Sequence, residues 1–340
     1  MARKEGMAEA SFRSQLGNAV RQRALWFALL FWVFLSLTAI ALCPVRVPLP
    51  GLHAEPPVPQ VISSSVALVA FLLVIRIVAF IARRRPMPNL ASRAPERATA
   101  VRETMLLWIY GAAVIVAGRW IGLHFFGEGI ALHLNGSLVG ASRVQSPAEV
   151  YTWAAYNGFF LALVPYLVFR MRGYSREALN LKSSNLKNDT LIIFVVLAIG
   201  CAFDLSDHNF LQLTPHQQFV GGLLSFVLHL FGTDLPIMIF IYAILLPRYF
   251  RLASPATAFL LGAASYPTMH IFESWTRYNT PVHAAVSVIF VFLTFFPAGL
   301  VKSYLTMRTG NAWVHVWAFH AISPHVTVDT RLVVNDFHIR

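Results

Sequence analysis

Asp234, His270 and His320 each stand inside a stretch of chain otherwise apolar enough to cross a membrane. A titratable side chain in hydrocarbon costs roughly 2.5–3.5 kcal/mol on insertion scales, so such residues face a bundle interior or a wet cavity and mark functional sites. A carboxylate and two imidazoles suit general acid–base chemistry on water. Glu273 follows His270 by three residues and shares its helix face. It is a further candidate acid, or a group that orients the imidazole; the simpler reading is a solvated interfacial side chain beside Trp275, Arg277 and Tyr278.

Each of these residues also has a structural reading. Asp234 precedes Leu235-Pro236, a helix N-terminus signal, and as a cap it would accept backbone N–H bonds. His270 and His320 read as neutral hydrogen-bond partners between helices, worth about 0.6 kcal/mol each. Donor types that suit Zn²⁺ are present in His229, Asp234, His270, His315 and His320. No His-Glu-x-x-His motif occurs, however, and the His229/Asp234 and His315/His320 pairs are spaced by five residues rather than four. No cofactor is therefore expected, with zinc as the lesser alternative.

The elements that must position these groups are membrane helices. Of the 340 residues, 57% are hydrophobic and only 12% charged, against about 25% charged in soluble domains, and the mean hydropathy is +0.61. The fold class is all-α, a polytopic helix bundle integral to the membrane. The net charge of +12 sits at the ends of apolar runs, where it retains cytoplasmic loops and attracts anionic lipid. No basic stripe with interleaved aromatics marks a nucleic-acid surface, so lipid is the expected partner and nucleic acid is not.

Runs of about 20 apolar residues predict about nine crossings, within a range of eight to ten, at approximately 24–43, 61–82, 105–126, 150–169, 190–205, 217–247, 256–275, 282–301 and 312–326. Arg83, Arg84, Arg85, Arg93, Arg97 and Arg102 fill the second loop, and Arg170, Arg172, Arg176, Lys182 and Lys187 the fourth. The first, third and fifth are poor in basic residues, with only Arg46 and Arg143. That alternation puts the N-terminus in the cytoplasm. Residues 217–247 are long for one crossing, and Gly232-Thr233-Asp234-Leu235-Pro236 predicts a break; the basic clusters after it fit a single broken crossing. Residues 1–23 form a cytoplasmic segment, 24–170 an N-terminal transmembrane region with no motif, and 327–340 a polar tail. Cys201 reads as a small apolar core residue, and Cys43 ends a run that lacks the small residue of a lipoprotein cleavage box.

Across residues 173–326 three patterns follow in order: Asp234 opening an apolar run, Tyr266-x-x-x-His270, and Arg308-Thr309-Gly310-x-x-Trp313 with His320 beyond it. With the lead-in Gly173-Tyr174-Ser175-Arg176-Glu177-Ala178-Leu179-Asn180-Leu181, this order resembles the CPBP family (CAAX proteases and bacteriocin-processing enzymes, also called Abi) of intramembrane proteases. The resemblance implies a bacterial plasma-membrane protein that cleaves a membrane-anchored peptide or protein. Asp234, or Glu273 in its place, would be the base, with His270 assisting and His320 at the oxyanion. Leu235, Ile239 and Pro324 occupy positions where that family carries a second glutamate, an arginine and an asparagine. Losing an oxyanion donor alone costs roughly 10²–10³-fold in rate. Two alternatives stay open: a non-catalytic scaffold or immunity protein of the same fold, and a small-molecule permease built on a broken helix.

Overall fold

The computed structural model describes residues 22–42, 57–126, 146–205, 210–273 and 275–340. Cys43, Arg46 and Arg143 lie outside these residues. Every regular element among the described residues is helical. Helices α1 (Arg23–Leu42), α2 (Val58–Ile81), α3 (Arg97–Phe126), α4 (Pro147–Met171), α5 (Leu186–Asp204) and α6 (Gln217–Leu252) are long and apolar enough to cross a membrane. A shorter α7 (Pro255–Met269) follows. It is succeeded by α8 (Pro281–Thr309), the seventh of membrane-spanning length and composition among the described residues. The run expected as a last crossing is divided at residues 321–322 into α9 (residues 313–320) and α10 (Ser323–Thr327).

The helices fall into an inside and an outside. The apolar window of α6 is 83% buried, whereas those of α1 and α2 are 17% and 11% buried, so α6 is the axis of the bundle. Phe27, Leu30 and Phe34 of α1, with Ile62, Val66 and Leu73 of α2, point outward. An apolar surface of that extent suits lipid rather than water. Helix α7 packs along α8, and α8 in turn packs against α2 and α1.

The break expected at Asp234 does not occur. Helix α6 is continuous through Pro236, with π-helical turns over Leu230–Asp234 and Met238–Leu245. A π-turn widens the backbone ahead of a residue that has no N–H to give, so the chain passes the proline without ending. Asp234 is accordingly mid-helix with αR dihedrals, and its side chain makes no capping bond. The cap reading fails because a continuous helix already uses the N–H groups that a cap would serve.

The largest apolar cluster joins Leu107 and Val114 of α3, Leu161 of α4, residues 237–246 of α6, and Tyr266 and Met269 of α7. It shows no seam at residue 170. Gly232 makes the close approach of α4 to α6 possible, because a Cβ there would meet the Trp153 ring. The C-terminal segment expected as a polar tail contains α11 (Thr330–Asp336), whose buried Val333 packs with Val150 and Trp153 of α4.

Candidate functional site

At one end of the bundle the basic loops meet. Arg85 pairs with Asp189 at the start of α5 and donates to Ser184 Oγ at 2.8 Å and Thr309 O at 2.6 Å. Asn311 Nδ2 donates to Asp189 Oδ2 at 3.0 Å. Arg93 Nη1 donates to Asn180 Oδ1 at 2.6 Å and to Gly310 O at 2.7 Å. Gly310 ends α8 in the left-handed region (φ 65°), where a side chain is strained. Asn180, also left-handed (φ 52°), donates to Tyr242 O at 2.9 Å and accepts from Ala312 N at 2.7 Å. The Arg-Thr-Gly-Asn turn and the Gly173–Leu181 lead-in are thus bound to one another. Their polar groups hold three loops and α6 together and do not face a reacting centre. Burial pushes the Arg93 guanidinium down, with Glu177 opposing the shift.

The polar centre lies halfway along α6, seventeen residues from Gln217 and eighteen from Leu252. Asp234 Oδ1 is 3.0 Å from His320 Nδ1 of α9 and 3.8 Å from His325 Nε2 of α10. The other ring nitrogen of His325, Nδ1, is 2.8 Å from Asp329 Oδ2, and His229 Nε2 of α6 reaches the same oxygen at 3.1 Å. His229 Nδ1 donates to Ser225 O at 2.8 Å. The His229 and His325 rings stack with centroids 4.1 Å apart. All five side chains are at most 2% exposed. Both carboxylate oxygens of Asp234, both ring nitrogens of His320, and Nε2 of His325 lie outside hydrogen-bond geometry with any group.

A second pair stands across Tyr266. His270, just past the end of α7, holds Glu273 Oε1 at 2.6 Å through Nδ1, while its Nε2 has no hydrogen-bond partner. Its ring stacks on Phe295 at 4.2 Å and meets Tyr266 at 4.6 Å. Tyr266 in turn lies 6.0 Å from the His320 ring. Lys302 of α8, fully buried, sits with Nζ 3.6 Å from the Tyr266 ring centroid. Glu273 is 1% exposed, so the solvated interfacial reading does not hold. The short turn after α7 folds it back under the imidazole, burying a charge that the sequence places beside polar interfacial residues.

The structure therefore brings Asp234 and His320 together and pairs His270 with Glu273. The sequence does not assign His325, Asp329 or Lys302 to this centre, although a third histidine five residues after His320 was a visible signal. The five-residue spacings acquire a meaning here. The π-turns over Leu230–Asp234 and Val316–His320 widen each turn, which puts residues five apart on one face. Of the three substituted motif positions, Leu235 and Ile239 line an apolar groove of about 760 Å³ between α4 and α6, together with Leu163 and Trp313. Pro324 stands in the first turn of α10, the helix that delivers His325.

Comparison with known proteins gives no match to a family model, to a curated protein or to a solved structure.

Proposed function

We propose that this chain is a multi-pass membrane hydrolase with a CPBP-like core, acting on a membrane-anchored peptide or protein. The observation that carries the reading is the His270–Glu273 pair beside the Asp234–His320 pair in the middle of the bundle. Glu273 on Nδ1 fixes the imidazole tautomer and leaves the Nε2 lone pair to take a proton, as the orienting carboxylate does in other hydrolase triads. Asp234 and His320 present the water. The groove lined by Leu235 and Ile239 suits an apolar or lipid-bearing substrate, which explains apolar side chains where the resembled family carries polar ones.

Nine crossings with a cytoplasmic N-terminus complete the proposal. Contacts of Arg85 and Arg93 with Asp189, Asn180 and Gly310 support placing the second, fourth and last basic loops on one side. Contacts of Arg172 and Arg248 with Glu103 support putting the loop after α6 there too.

The full burial of all four side chains favours a second reading, a non-catalytic scaffold of the same fold. Processing of co-expressed, tagged, membrane-anchored peptides separates the two. Wild type should process, and Asp234→Asn, His270→Gln and Glu273→Gln should each lose about 10²-fold or more. Equal processing by wild type and all three variants would rule out hydrolysis at this site.

A further inference from the structure

We infer that Asp234, His320 and His325 form a binding site for a divalent transition-metal cation, with Zn²⁺ as the fitting member of the class. The inference does not depend on hydrolysis. Three helices supply the donors: α6 the carboxylate, α9 and α10 the imidazoles. One donor atom from each lies within 4.8 Å of the other two. Zinc–ligand distances of about 2.0–2.2 Å in a tetrahedron separate neighbouring donors by roughly 3.3 Å. The observed separations from Asp234 Oδ1, 3.0 Å to His320 Nδ1 and 3.8 Å to His325 Nε2, bracket that value.

The hydrogen-bond pattern points the same way. The Nδ1–H of His325 is given to Asp329, which leaves Nε2 with a lone pair directed at a carboxylate oxygen. Two lone pairs facing each other in a buried, apolar setting repel, and a cation between them reverses the sign. That Nε2, both Asp234 oxygens and both His320 nitrogens lack hydrogen-bond partners, whereas buried polar atoms in folded proteins are nearly always satisfied.

The surroundings have the form of a supporting shell. A metal-ligating histidine usually gives its second ring N–H to a carboxylate, which fixes its orientation and raises its basicity. Asp329 does this for His325, and His229 braces Asp329 at 3.1 Å. The alternative triad of His229, His325 and Asp329 is less suitable, because the His325 nitrogen that faces Asp329 is already hydrogen-bonded to it. Lys302 is a nearby cation that could balance Asp234. Its Nζ is directed at the Tyr266 ring and forms no ion pair with the carboxylate. Two imidazoles and one carboxylate leave the fourth position open, the pattern of a catalytic rather than a structural zinc site.

The full chain, purified in detergent and stripped with chelator, is titrated with Co²⁺, whose ligand-field spectrum reports geometry, and with Zn²⁺ in competition. Wild type should take up one Co²⁺ per chain with a tetrahedral spectrum, displaced by Zn²⁺. Asp234→Asn, His320→Gln and His325→Gln should lose the spectrum. Asp329→Asn should keep it with affinity lowered about 10–100-fold, and His283→Gln on the exposed end of α8 should leave it unchanged. Circular dichroism verifies folding of each variant, and Asp329→Asn remains informative if a ligand variant fails to fold. Substoichiometric uptake by folded wild type, or a spectrum that survives loss of His320 or His325, would overturn the assignment. Neither result bears on whether peptides are processed.

Discussion

Replacing Glu103 by Gln should destabilise the protein more than replacing Arg248, its partner on the axis helix, by Met. Glu103 of α3 accepts from Arg248 Nε at 2.7 Å and stands 2.5 Å from its Nη2 as an ion pair, with both side chains at most 1% exposed. It also accepts from Tyr174 Oη at 2.8 Å and forms an ion pair with Arg172 Nη2 at 2.7 Å. Removing one member of a buried ion pair costs about 3–5 kcal/mol, because the other charge is left uncompensated. In Glu103→Gln the stranded guanidinium keeps Ile244 O at 2.5 Å and the face of Phe169 at 4.5 Å, so the lower end, about 3 kcal/mol, applies. Arg248→Met strands less. Glu103 retains Tyr174 and Arg172, but Arg172 is 39% exposed and such pairs contribute about 1 kcal/mol at most. The loss of charged hydrogen bonds then amounts to about 1.5–3 kcal/mol. The double variant should cost less than the sum by about 0.5–3 kcal/mol. Equilibrium unfolding in mixed micelles, followed by tryptophan fluorescence, measures all three. A Glu103→Gln cost below about 1 kcal/mol, or strict additivity in the double variant, would refute the assignment of this cluster as a buried, coupled network.

Gly232→Ala should cost about 1–3 kcal/mol by overpacking, since its Cβ would meet the Trp153 ring; adding Trp153→Leu should recover part of that loss in the same assay. Gly310→Ala should cost about 1–2 kcal/mol from the left-handed backbone and loosen the loop contacts of Arg93, read as faster proteolysis between residues 86 and 96. Burial pushes the Asp336 carboxyl up, and Glu149 adds to the shift. Its contribution to stability is therefore present below the ordinary carboxylate range and lost as pH rises through the raised value. Asp336→Asn should stabilise the chain at neutral pH and lose that advantage in acid, a trend read from thermal midpoints across pH; a pH-independent difference would contradict it.

The apolar runs were sufficient to place α1 to α6 and α8, because the cost of moving a segment into hydrocarbon accumulates residue by residue along the chain. They also singled out Asp234, His270 and His320, since a polar group within such a run must be buried somewhere. What each of them touches was not legible. The reading of Asp234 as a cap and that of Glu273 as a solvated side chain both rest on local rules, and both were displaced by contacts made elsewhere in the fold. A π-turn carried α6 past Pro236, and the turn after α7 folded Glu273 under His270.

The sequence alone determined that this protein is helical, membrane-sized in its elements, and polar at a few buried points. Only the tertiary structure decided that Asp234 meets His320 and His325, that Asp329 supports them, and that the Arg-Thr-Gly-Asn turn serves the basic loops. Hydrophobicity is a property each segment carries by itself. The direction of a buried side chain depends on helix register, which a single π-turn shifts by most of a residue's rotation, and on the neighbouring helix that packs against it.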